Sequence, residues 1–176
     1  MKKNKMWAVI LILLLVGFIF GCEKDYTKEV YDFITEYIHM VSYEHAIHKT
    51  HITENMKGYF YDYEDKENAE YPEFMLPGGF RDNILVVKDF VIQKIEKLPY
   101  TGTKGYFGNG LDGYSVEVQF TIYDESKEKG EYVKNLGYWV ALANNKFYIY
   151  ADDTLNDIYI LEKDLDKLSP LSRHFV

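Results

Sequence analysis

From Tyr114 to Ile122 every second residue is apolar: Tyr114, Val116, Val118, Phe120 and Ile122 alternate with Ser115, Glu117, Gln119 and Thr121. A period of two places the first set on one face of a strand and the second set on the other. Such a strand needs a sheet that is dry on one side and wet on the other, which is the antiparallel arrangement. Burying the dry face contributes about 7–15 kcal/mol before the cost of ordering the chain. Whatever fold the chain adopts must bring a matching apolar surface to these five side chains.

Candidates for neighbouring strands lie on both sides. NILVVKDFVIQKIEKL, residues 83–98, is rich in Ile, Val and Phe, and its alternation breaks at Lys88 and Asp89, which predicts a bulge. Residues 125–130, ESKEKG, read as a hairpin turn and 131–143, EYVKNLGYWVALA, as the strand that follows it. Asn144–Asn145 forms a second tight turn, because Asn tolerates left-handed backbone angles, and KFYIYA returns from it. Aromatic residues make up 17% of the chain, with 17 Tyr and 11 Phe, a composition suited to half-buried sheet surfaces.

Helical spacing comes before the strands. In residues 25–47 the apolar positions Val30, Phe33, Ile34, Tyr37, Ile38 and Val41 recur at three and four, with Asp25 or Thr27 as the cap. Residues 50–63 predict a second, shorter helix capped by Thr50, with Ile52, Met56, Tyr59 and Phe60 on one face. The acidic stretch that ends in Pro77, Gly78 and Gly79 is a loop. Near the end, Leu155, Ile158, Leu161, Leu165 and Leu168 are spaced as in a helix, although DIYIL alone has the composition of a strand. The wider spacing predicts a helix there.

Helices followed by an antiparallel meander make an α+β domain, taken as one domain over 27–176. The order resembles the NTF2-like or cystatin-like roll, in which N-terminal helices pack on a curved antiparallel sheet. The resemblance is one of fold. Rolls of this kind serve as enzymes and as inert binding modules, so it implies no reaction.

The start of the chain carries an address. A basic leader with Lys2, Lys3 and Lys5 precedes an uncharged run from Met6 to Gly21, which is shorter than the roughly 20 residues of a stable membrane span. It has the form of a secretory signal. At its end stands the chain's only cysteine, in IFGC (Ile19, Phe20, Gly21, Cys22). This resembles a bacterial lipoprotein signal. The resemblance implies a signal peptide over 1–21, diacylglycerol on the Cys22 sulfur, cleavage before Cys22 and a short lipidated tether over 22–26. It also implies a cell-membrane location on the extracytoplasmic face. Two acyl chains suffice for stable anchoring, and a thioether removes a lone thiol that has no disulfide partner.

Charge narrows the partners. Of the 20 Lys and Arg, three precede the apolar run, so 17 oppose 28 Asp and Glu after it, about −11. A body this acidic is repelled by phosphate backbones and anionic headgroups, which argues against nucleic acid and against adhesion to membranes by charge.

Few residues suggest chemistry, and no cofactor is implied. Glu44, His45, His48 and His51 have the donor types that zinc takes, at near-helical spacing, with His39 a further turn back. The alternative is a solvated helix end whose imidazoles complement the dipole. Asp89 and Glu117 are the acids to consider for cavity chemistry, but Asp89 fits a bulge and Glu117 the wet face of its strand. Tyr148 and Tyr150, on one face of the final hairpin strand, are either a recognition surface or cross-strand packing. No nucleophile-elbow, phosphate-loop or H-E-x-x-H motif is present. The reading that follows is a lipid-anchored, extracytoplasmic lipoprotein that binds a protein or another envelope component without catalysis. The alternative is a small-molecule binder or enzyme that uses the hollow of the roll.

Overall fold

The computed structural model describes residues 24–48, 53–60, 84–99, 111–124, 130–152 and 157–168. The alternating segment becomes strand β2 (Asp112–Asp124), the middle strand of a five-stranded sheet. Its predicted dry face is buried throughout: Tyr114, Val116, Val118, Phe120 and Ile122 are all 2% exposed or less. Strand β1 (Ile84–Leu98) and strand β3 (Gly130–Ala143) flank it, both antiparallel. Strand β4 (Lys146–Asp152) pairs with β3 across Asn144 and Asn145, whose φ angles of 49° and 62° are those a tight hairpin needs.

The sheet is strongly curled, close to a half-barrel, and bulges mark where β1 bends. Its register with β2 shifts between Val87 and Asp89 and again between Ile92 and Lys94. The first shift is the break at Lys88 and Asp89 foreseen in the sequence. Each extra residue restores the inward face, so Val87, Phe90, Ile92 and Ile95 all pack toward the core despite their uneven spacing.

Helix α1 (Thr27–His48) lies on the concave side and buries Val30, Ile34, Tyr37, Ile38 and Val41 against the sheet. Asp25 opens it, with Oδ1 accepting from the Thr27 amide at 2.9 Å and from its hydroxyl at 2.6 Å. The second predicted helix is corrected to a single turn, α2 (Glu54–Lys57), capped by Thr53 rather than Thr50, a residue outside those described. Met56 fills the core as expected. At Gly58, however, the helix gives way to a turn, with the Tyr59 and Phe60 amides donating to the Met56 and Lys57 carbonyls; the Tyr59 carbonyl accepts from the Ile149 amide at 2.6 Å, and Phe60 bridges to Ile149. The free edge of β4 supplies a backbone donor that a continuing helix would leave unpaired.

The last stretch is also corrected. It is strand β5 (Ile158–Leu161), parallel to β1, followed by a 3-10 helix (Glu162–Lys167). The sheet is therefore mixed, with strand order β4-β3-β2-β1-β5, rather than wholly antiparallel. All four β5 residues are buried. Tyr159 and Leu161 join the main core, and Ile158 and Ile160 meet Ala46 and Leu168. A strand covered on both faces loses alternation, which is why its spacing passed for a helix. No helix among the described residues is long and apolar enough to cross a membrane, and the run from Met6 to Gly21 lies outside them.

Candidate functional site

The concave face is the natural place for a ligand in a curled sheet, and here α1 fills it. The space left between helix and sheet is a cavity of about 10 Å³, room for one water. Its walls are Ile38, Val41, Ser42, Val87, Phe120, Tyr138, Tyr159 and Leu161. Neither acid considered for cavity chemistry reaches it. Asp89 sits at the bulge, exposed, its Oδ1 accepting from the Phe90 amide at 2.8 Å, and Glu117 is exposed on the opposite face.

Several buried polar groups of the interior pair with one another. The Tyr37 hydroxyl donates to Asp152 Oδ2 at 2.7 Å, and burial, then Asp152, raises the phenol well above its ordinary range. A one-residue bulge makes this pair possible. Val140 faces Ile149 while Trp139 faces Ala151, so Tyr150 is the extra residue and Asp152 turns inward beside Tyr138. Lys134 Nζ donates to the Tyr159 hydroxyl at 2.7 Å and to Asp157 Oδ2 at 3.0 Å, while that hydroxyl donates to the same carboxylate at 3.2 Å. Burial, then Asp157, raises the Tyr159 phenol, so it stays protonated and supplies no base.

The other polar cluster lies along the second half of α1. Ser42 and His45 close the free edge of β5. Ser42 Oγ accepts from the Leu161 amide at 2.8 Å and donates to Asp164 Oδ2 at 2.6 Å. His45, 1% exposed, places Nδ1 3.1 Å from the Tyr159 carbonyl, which can only accept, so Nδ1 carries the proton. Lys167 completes the set on Asp164 Oδ1. Two helix side chains thus answer the strand as a sixth strand would, one accepting and one donating.

Glu44 points elsewhere. Its Oε1 accepts from Asn55 Nδ2 of α2 at 2.7 Å; its Oε2 makes no hydrogen bond and lies 3.7 Å from His48 Nε2. Burial works to raise this carboxyl. Hydrogen bonds from Thr53 and Asn55, then the imidazoles of His48 and His45, outweigh it and hold the pKa below its ordinary value. Of the predicted zinc donors, Glu44 and His48 are therefore neighbours, His45 is committed to β5, and His51 lies outside the described residues. No group of three or more His, Cys, Asp or Glu converges on a metal position among the described residues. His39, the turn before, stacks edge-on against Phe90 at 5.4 Å, and burial, then Lys163, lowers its pKa.

The tyrosine pair is not the open surface that strict alternation predicts. Tyr148 faces Ala141 on the side away from α1 but is only 5% exposed, and Tyr150 is the half-buried bulge residue. Cys22 lies outside the described residues. Sequence reasoning missed Ser42, Asn55, Lys134 and Asp157. Only Ser42 left a trace, as a small polar residue next to the apolar stripe of α1. Comparison with known protein families, curated proteins and solved structures gives no match.

Proposed function

We propose that this chain is a lipid-anchored, extracytoplasmic lipoprotein whose folded body binds an envelope protein and catalyses nothing. The observation that carries the binding reading is the packed concave face, where α1 leaves about 10 Å³ of space. A roll that acts on a small molecule needs an open hollow with polar groups turned into it. The body's acidity favours a partner that carries positive charge. We read the fold as a roll of the NTF2-like or cystatin-like kind, on the strength of a long N-terminal helix cradled by a curled sheet. The parallel strand β5 is an addition to that plan.

The anchor rests on sequence: three lysines, an uncharged run and Gly21–Cys22 at the point where charge begins. Diacylglycerol at Cys22 would hold the body close to the membrane, since α1 starts at Thr27 and five extended residues reach about 18 Å at most. Mass spectrometry of the chain purified from native membranes tests this. A polypeptide that begins at Cys22 and carries the mass of diacylglycerol is expected. A bare thiol at Cys22, or the leader still attached, overturns the reading.

A further inference from the structure

Glu44 and His48 stand one turn apart on α1, the spacing at which helix side chains lie one above the other. We propose that they form a two-residue chelate for a divalent metal ion of the zinc class. The proposal starts from a buried oxygen without a hydrogen bond. The Glu44 side chain is 5% exposed, and its Oε2 makes no hydrogen bond. A buried carboxylate oxygen left unsatisfied is costly, and a cation removes that cost.

The geometry is set by α2. Asn55 Nδ2 holds Oε1 at 2.7 Å, which fixes the carboxylate with Oε2 turned toward the imidazole, the outer support that metal-ligating carboxylates have. His48 Nε2 is 3.7 Å away on a side chain that is 52% exposed. Donors at ordinary bond lengths on a tetrahedral zinc lie about 3.3 Å apart, so a shift of about 0.4 Å in an exposed ring admits the ion. His45 is left out of the chelate, because it is 1% exposed and no third donor joins Glu44 and His48 among the described residues. One imidazole and one carboxylate suit zinc, nickel or copper better than calcium or magnesium. Two protein ligands leave the other positions to water or to a donor from a partner, so the ion is held weakly and exchangeably. None of this depends on the lipid anchor.

Calorimetric titration of the full-length chain with zinc is the test, with Glu44→Gln and His48→Ala beside the natural sequence. Glu44→Gln keeps an acceptor for Asn55, and His48→Ala changes an exposed side chain, so neither removes core packing. One zinc per chain is expected, with affinity about tenfold lower or worse in each variant. An unchanged melting temperature in His48→Ala without zinc excludes loss of fold as the cause. No saturable binding, or equal affinity in all three chains, overturns the chelate and leaves His48, when protonated, as the partner of the orphan oxygen.

Discussion

At the scale of the residue, the buried carboxylates carry the pH dependence. Asp164 is 2% exposed and touches Ser42 and Lys167. Burial alone would raise its pKa. The hydrogen bonds from Lys167 and Ser42, and then the charges of Lys167 and Lys163, reverse that and leave it below its ordinary 3.8. A carboxyl whose pKa is lower in the folded state gives stability that is full above its unfolded pKa and is lost as pH falls through the folded one. Asp164→Asn should therefore melt below the natural chain at neutral pH, and the gap should close in strong acid. Thermal melts at pH 7 and at successive steps below pH 4 measure it. A gap that stays constant would mean that Asp164 acts through shape rather than charge.

At the scale of the element, the two sheet edges are where backbone groups need partners from outside the sheet. The β4 edge is met by backbone, through the Tyr59 carbonyl, and the β5 edge by side chains, through Ser42 and His45. Ser42→Ala leaves the Leu161 amide without its acceptor in a buried place, at a cost of about 1–3 kcal/mol. Amide exchange at Leu161 should quicken by about tenfold or more, while Ile122, in the middle strand, keeps its protection relative to the global stability. Equal acceleration of both amides would show that the edge does not open by itself. These edges also explain which elements could be read in advance. β2 and α1 each bury one face, so their apolar spacing repeats at two or at three and four, and the Asn144–Asn145 turn marked β3 and β4 on either side of it. β1 was legible as a strand from its Ile, Val and Phe content, and its first bulge from the break at Lys88 and Asp89. β5 and the segment after Gly58 were misread because their structure answers to distant neighbours, a strand covered on both faces in one case and an Ile149 amide in the other.

At the scale of the whole molecule, the space between the helix and the curled sheet among the described residues is about 10 Å³, and the core depends on large rings meeting there. Phe120 lies against Phe90 at 6.0 Å and against Tyr159 at 5.6 Å, beside the small cavity. Phe120→Ala should cost about 3–5 kcal/mol and enlarge that cavity. If the variant folds, an apolar probe the size of benzene should raise its melting temperature and leave the natural chain unaffected. Stabilisation of the natural chain by such a probe would reveal a hollow larger than the space described, and would revive the small-molecule reading.

The sequence by itself determined that a wet-sided strand centred on Val118 must find a sheet, that a long amphipathic helix precedes it, and that a hairpin turns at Asn144–Asn145. It also determined the excess of acid after the single cysteine. Only the tertiary structure decided that β5 runs parallel to β1, that Tyr150 bulges and turns Asp152 toward Tyr37, and that His45 serves a strand edge while Glu44 faces His48. The reason is range. Periodicity is a local property of neighbouring residues. Strand partners, bulge positions and the acceptors of buried donors are settled by groups outside that neighbourhood, in some cases more than a hundred residues away, as Ser42 and Leu161 are.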